Sequence, residues 1–122
     1  MTHEEIEKDP RFIVLSNYSS KVYEYKVAVF SLQIKYDLLK KEQEFKKQSV
    51  IATIAAEKTE DGKKKFGNED QRQTEFEKRL ENDENYHSNE KELQLLYAEI
   101  QRKVIEISYL LTEIENYRLF VK

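Results

Sequence analysis

The chain contains no cysteine, and it has only two glycines and one proline among 122 residues. Without cysteine, no disulfide, thiolate nucleophile or thiolate metal site is available. An all-β fold needs glycine and proline at its many turns, whereas a long helix needs almost none. The scarcity of both residues therefore predicts an all-α protein.

Long apolar runs are also missing. No segment approaches the roughly 18 apolar residues that a membrane-spanning helix needs, and the first thirty residues show no signal-peptide pattern. A cytoplasmic location without a membrane partner is therefore expected. The net charge of −3, from 24 acidic against 21 basic residues, is unlike that of a globally basic nucleic-acid binder.

What the chain does contain is charge. Charged residues make up 37% of it and hydrophobic residues 39%. A chain of this composition cannot fill a thick globular core, but it can cover a thin, elongated helical one. At this length we expect a single helical domain over residues 1–122.

The one proline marks the start of the first long helix. Residues 1–16 contain Pro10 and are predicted to form a lead-in, because a proline disfavours helix at the residue before it. Helix one is then predicted over 17–58, with Ser16 or Asn17 as its N-cap.

The two glycines mark the turn. Both fall within 59–67, and helix two is predicted over 68–120, with Asn68 as a good N-cap and two acidic residues in the first turn. A polar, asparagine-rich stretch offers further caps, so helix two is either continuous or broken near 82–85.

Apolar residues in both helices recur with alternating spacings of four and three, which is the seam of a left-handed coiled coil. Folding at the glycine turn brings the two seams together, and the numbers of facing residues then add to a nearly constant value, as for Val29 with Tyr97 and Val22 with Val104. The same register places Gln43 opposite Asp83 and Lys46 opposite Arg79, in a polar stretch of the seam. An antiparallel helical hairpin is predicted. The seams are Tyr18, Val22, Tyr25, Val29, Leu32, Tyr36 and Leu39 in helix one, and Leu93, Tyr97, Ile100, Val104, Ile107, Leu111 and Ile114 in helix two.

Each helix carries a second apolar stripe beside its seam. A two-helix hairpin buries about one stripe per helix, so the second needs another partner. Either residues 1–15 or a broken helix two cover it, or the protein assembles as a dimer or larger helical bundle, which we favour. The second stripes are Tyr23, Val27, Phe30, Ile34 and Leu38 in helix one, and Leu96, Ala98, Ile105, Tyr109 and Tyr117 in helix two.

Signatures of catalysis are missing. Neither His3 nor His87 has a second histidine at helical spacing, and the pair of Glu-x-x-His motifs of di-iron bundles is absent. No serine stands in a Gly-x-Ser-x-Gly context, and no glycine-rich phosphate loop is present. We expect no enzyme activity, no cofactor and no metal site.

Two groups of residues are candidates for binding. Four tyrosines off the predicted seams, Tyr23, Tyr86, Tyr109 and Tyr117, are candidates for contact with a protein partner. Lys63, Lys64 and Lys65 stand together in the turn beside an aromatic residue, a combination that can contact a nucleic-acid backbone. Acidic residues on both sides of these lysines nearly cancel their charge.

Residues 61–86, DGKKKFGNEDQRQTEFEKRLENDENY, resemble small helical proteins of bacteriophages and mobile elements. The resemblance lies in the glycine-lysine turn, the aromatic, the Asn-Glu pair with a nearby arginine, and the later Arg-Leu. In that family an acidic residue and a proline often precede the tyrosine, whereas here Asp83-Glu84-Asn85 stands in that place without the proline. The resemblance implies a phage-encoded accessory protein in the host cytoplasm, encoded near recombination genes or acting against a host defence system.

Three functional hypotheses remain open at this point. The first is a protein-interaction module, for example an inhibitor of host machinery. The second is a nucleic-acid-binding accessory factor of recombination or replication that uses Lys63–Lys65. The third is a small-ligand sponge with pockets between protomers. The salt dependence of binding separates the first two, because phosphate contacts weaken steeply with salt.

Overall fold

The computed structural model describes residues 2–121, with side chains described for 2–119. It is 86% helical, and the described residues contain no strand. The four helices are α1 (His3–Lys8), α2 (Pro10–Ala56), α3 (Glu69–Glu81) and α4 (Glu84–Val121). Helices α2 and α4 pack against each other. The predicted all-α helical hairpin is confirmed.

The first long helix begins earlier than predicted. It starts at Pro10 rather than at residue 17. Proline suits the first position of a helix, where its missing N–H would have no intrahelical partner. Asp9 takes the capping position: its carboxylate accepts from the backbone N–H of Arg11 at 2.9 Å, and its carbonyl accepts from Ile13 at 3.1 Å.

The predicted lead-in 1–16 is therefore mostly helix. The short helix α1, which precedes α2, begins with a capping box. Thr2 Oγ1 accepts from the backbone N–H of Glu5, and the Glu5 carboxylate accepts from the backbone N–H of Thr2. The lead-in thus consists of two capped helix starts separated by the extended Asp9, the residue at which Pro10 was predicted to disfavour helix.

The turn lies where the glycines predicted it. Helix α2 ends at Ala56, and the chain reverses around Gly62, whose φ of 82° is a left-handed conformation that glycine adopts without steric cost. The backbone N–H of Thr59 donates to Lys63 at 2.7 Å across this reversal. Helix α3 begins after Asn68, whose side chain accepts from Gln71 at 2.8 Å, as predicted for an N-cap.

Helix two is broken. Helix α3 ends at Glu81 and α4 begins at Glu84, so the predicted region 82–85 contains the interruption. Asp83 Oδ1 accepts from the backbone N–H of Tyr86 at 2.9 Å and thereby caps α4.

The chain divides into two compact units. Unit 1 comprises residues 1–34 and 96–122, and unit 2 comprises residues 35–95. Each combines part of α2 with part of the returning chain. In unit 1, Val22 of α2 is buried with Leu110 and Ile114 of α4. Around them pack Leu15, Tyr18, Tyr25 and Ile107.

The α4 side of the unit 1 core differs from the predicted seam. Positions 100, 107 and 114 face α2 as predicted, but Tyr97, Val104 and Leu111 are exposed. Leu96 and Leu110 are buried instead. The predicted and the observed seams share Ile100, Ile107 and Ile114. Between these, Leu96 replaces Tyr97 and Leu110 replaces Leu111, and periodicity does not separate such apolar pairs. At the remaining position the observed seam has Lys103 in place of the apolar Val104.

Because the seam on α4 differs from the predicted one, the residues that α2 meets across the hairpin also differ from those predicted. Val22 packs with Leu110 and Ile114, not with Val104. The residues that face Val22 therefore lie six and ten positions further along α4 than the constant-sum pairing predicted. Val104, which would have faced α2, is solvent-exposed.

Candidate protein interface

The largest side chains on the outer side of α2 in unit 1 are apolar and exposed. We call Tyr23, Val27, Phe30 and Ile34 the outer α2 face. Tyr23 is 70% exposed and Phe30 69%. At 3.6 residues per turn, this face is centred roughly 110° around the helix from the buried Val22. Helix α4 therefore leaves it uncovered, and the predicted second stripe of helix one is present on the surface of unit 1.

A second exposed surface lies on α4 in unit 1. Ile105 is 68% exposed and Tyr109 is 62% exposed, on successive turns. Arg102, one turn before Ile105, is also exposed and forms an ion pair with Glu99. We call Arg102, Ile105 and Tyr109 the outer α4 face. It lies on the side of α4 away from the residues buried against α2.

The four candidate tyrosines have different surroundings. Tyr23 and Tyr109 are exposed on the two outer faces, whereas Tyr86 is buried. Tyr117 is half-buried, and its ring meets that of Tyr18 edge-on, with centroids 5.9 Å apart. Burial is the main cause that raises the pKa of the Tyr18 hydroxyl, and the nearby Tyr117 hydroxyl is the second. A surface role therefore does not suit Tyr86 and Tyr117, whose rings contribute to packing.

The stripe predicted on helix two is correspondingly smaller. Leu96 is buried in unit 1 and Tyr117 packs inside it, so neither belongs to a second exposed stripe. Ile105 and Tyr109 do remain exposed. The physical reason is the one-residue change of seam on α4, which turns Leu96 inward and Tyr97 outward.

In unit 2, a polar layer interrupts the apolar packing. The side-chain amide of Gln43, which is 3% exposed, donates to the Tyr86 carbonyl oxygen at 2.9 Å and to Glu90 Oε1 at 3.1 Å. Its oxygen accepts from Asn89 Nδ2 at 3.0 Å. All donors and acceptors of this buried amide are thereby engaged. The sequence prediction placed Gln43 opposite Asp83, and that pairing is wrong.

Asp83 instead contacts Lys46, with the Lys46 Nζ to Asp83 Oδ2 distance at 2.7 Å. The pKa of the Asp83 carboxyl lies below its ordinary value. The main cause is the hydrogen bond from Lys46, and the hydrogen bond from the backbone N–H of Tyr86 is the second. Arg79, which was predicted opposite Lys46, binds Glu57 and Glu75 at 2.8 Å each. These contacts fix the position of the helix break in unit 2.

The lysines of the turn do not converge on a common site. Lys63, Lys64 and Lys65 are all exposed. Lys65 Nζ lies 5.6 Å from the centre of the Phe66 ring, where a cation interacts favourably with the aromatic face. The acidic residues Glu60 and Asp61 are exposed in the same loop.

Within residues 2–121, no three acidic, histidine or cysteine side chains group as metal ligands, and no helix is both long and apolar enough to cross a bilayer. His87 Nε2 lies 2.8 Å from the carbonyl oxygen of Glu81, which places the ring at the end of α3.

Sequence reasoning missed Arg102 as a member of the outer α4 face. Its signal was present, because an arginine three residues before an isoleucine and seven before a tyrosine shares one side of a helix with both. Comparison with known protein families, with curated proteins and with solved structures finds no match to this chain.

Proposed function

We propose that this protein is a non-catalytic binding protein that recognises a protein partner through the outer α4 face. The observation that carries the proposal is the exposure of Ile105 and Tyr109 on adjacent turns, beside Arg102. Tyrosine and arginine are enriched among the residues that dominate the energy of protein interfaces.

The geometry suits a helix-mediated contact. The three side chains lie on one side of α4, so a partner can bury all of them without unfolding unit 1. The ion pair of Arg102 with Glu99 is on the surface, and such pairs contribute little to stability. The guanidinium is therefore available to a carboxylate of the partner at small cost.

The source of the partner follows from the resemblance of residues 61–86 to small helical proteins of bacteriophages and mobile elements. On that basis we propose a phage-encoded accessory protein whose partner is a host protein, such as a component of a defence system. The resemblance rests on a turn and a cap, so it assigns no residue to the contact with the partner. The residues proposed for that contact are those of the outer α4 face.

The test is affinity capture from the native host, comparing the wild-type chain with Tyr109→Ala. Truncating a tyrosine that dominates an interface weakens binding by about 2 kcal/mol or more, and we expect the captured protein to be lost or strongly reduced. Tyr97→Ala is the matched control, because Tyr97 is a tyrosine of the same helix that is also exposed but lies on another side of it.

Equal loss of the captured protein in both variants, or no loss in Tyr109→Ala, contradicts the proposal. Mass spectrometry of protein, nucleic acid and small molecules from the same capture distinguishes a protein partner from the other two ligand classes.

A further inference from the structure

We infer that the outer α2 face is a self-association surface on which the α2 helix of a second copy packs antiparallel, around a two-fold axis. This surface is separate from the outer α4 face, so the inference does not depend on the function proposed above. It rests on the spacing of the exposed residues, on how they match one another, and on the surface area of the chain.

The spacing indicates that the occupant is a helix. Tyr23, Val27, Phe30 and Ile34 follow one another at intervals of four, three and four residues. This is the repeat that a helix uses to pack against another helix in a coiled coil. All four side chains are exposed, so α2 has a second packing seam besides the one that contacts α4.

The order of side chains indicates that the second helix is another α2. In an antiparallel arrangement centred between Val27 and Phe30, Val27 faces the partner subunit's Phe30 and Tyr23 faces the partner subunit's Ile34. Each large aromatic ring then meets a smaller aliphatic side chain, which favours close packing. A parallel arrangement would instead place like residues opposite each other, including ring against ring.

The residues beside the seam are compatible with the same arrangement. Glu24 would lie near the partner subunit's Ser31, and Lys26 near the partner subunit's Gln33. No two charges of the same sign are brought together, and this removes the repulsion that commonly prevents a helix from pairing with its own copy.

The surface area leaves room for such an interface. The chain has an accessible surface of 9595 Å². A folded monomer of this mass is expected to expose about 6,900 Å². The excess is larger than the roughly 800 Å² that each partner buries in a standard protein interface. Exposed apolar residues on α2 account for part of it, and these are the residues that pairing would cover.

The first test compares the oligomeric state of the wild-type chain, Phe30→Glu and Ile105→Glu by sedimentation velocity at micromolar concentration. Phe30 and Ile105 are matched, with exposures of 69% and 68% on different helices. We expect a dimer for the wild type and for Ile105→Glu. For Phe30→Glu we expect a monomer, because the charge would be buried without a partner.

Circular dichroism checks that the helical content of each variant is unchanged. If Phe30→Glu loses helicity, Val27→Gln provides the same comparison with a milder change. A monomeric wild type, or a dimer that Phe30→Glu and Val27→Gln both leave intact, overturns the inference and assigns the face to another occupant.

The orientation has its own test, made simple by the absence of native cysteine. Val27→Cys and Phe30→Cys chains are mixed and oxidised. The antiparallel arrangement predicts a disulfide-linked product that contains one chain of each type. Products that contain only two Val27→Cys or only two Phe30→Cys chains indicate a parallel pair and overturn the antiparallel inference. If Ile105→Glu loses partner capture but remains a dimer, the dimer inference stands, because that loss concerns only the outer α4 face.

Discussion

The side-chain amide of Gln43 on α2 donates a 2.9 Å hydrogen bond to the backbone carbonyl oxygen of Tyr86, in the first turn of α4. The Tyr86 ring is buried beside this contact. One glutamine thus holds the beginning of α4 against α2 within unit 2. A buried polar group of this kind is stable only when it has hydrogen-bond partners, and Gln43 has three residues as partners.

Replacing Gln43 by alanine should destabilise the protein. The substitution removes the hydrogen bonds of Gln43 with the Tyr86 carbonyl oxygen, Asn89 and Glu90 from a buried site, and such a loss costs about 1–3 kcal/mol. Urea unfolding measures the change. Gln48→Ala is the control, because Gln48 is an exposed glutamine of the same helix whose side-chain amide donates to Glu44, one turn away. Equal destabilisation by the two substitutions would contradict the role of the polar layer.

The start of α4 should depend on Asp83. Asp83→Ala removes both the cap on the Tyr86 N–H and the ion pair with Lys46. Loss of a cap costs about 1 kcal/mol, and the free energy of unfolding should fall by at least that amount. Asp83→Asn keeps a capping oxygen and should retain most of the stability, whereas Lys46→Ala removes the ion pair alone. A larger effect for Lys46→Ala than for Asp83→Ala would show that the cap is unimportant.

The cap of α2 should titrate at unusually low pH. Hydrogen bonds from Arg11 lower the pKa of Asp9 from 3.8 to about 2. Because the folded-state pKa lies below the ordinary value, the stabilisation is fully present above pH 3.8 and is lost as the pH falls towards 2. The carboxyl carbon of Asp9, followed by NMR, should show this midpoint. Arg11→Ala should raise the pKa towards its ordinary value; an unchanged midpoint would rule out Arg11 as the cause.

The turn lysines should be dispensable for binding the partner. We expect the triple change of Lys63, Lys64 and Lys65 to glutamate to leave helicity and partner capture unchanged, because all three side chains are exposed and lie outside both outer faces. Retention on single-stranded DNA is measured with the same proteins at several salt concentrations. Salt-sensitive binding by the wild type that the triple change abolishes would favour the nucleic-acid hypothesis instead.

Several elements of the fold follow from local chemistry. Gly62 has the only positive φ among the described residues, and the turn forms around it. Asn68 caps α3 through its own side chain. The rarity of glycine and proline elsewhere made long helices the expected outcome, and each of these inferences depends on residues close together in the chain. Pro10 keeps Asp9 in an extended conformation, as its effect on the preceding residue predicts, and it also suits the first position of a helix, where α2 starts.

The sequence by itself determined that the chain is helical, where it turns, and that α2 has one apolar seam and a second apolar stripe, because propensity, capping and periodicity act over one or two helical turns. Only the tertiary structure decided which side of α4 meets α2. At position 103 the seam contains a lysine, whose Nζ lies 5.2 Å from the centre of the Tyr25 ring, while the more apolar Val104 is exposed. A helix rotates as one body, so burying Leu96 and Leu110 turns Val104 outward, and that choice depends on contacts with residues more than seventy positions away in the chain.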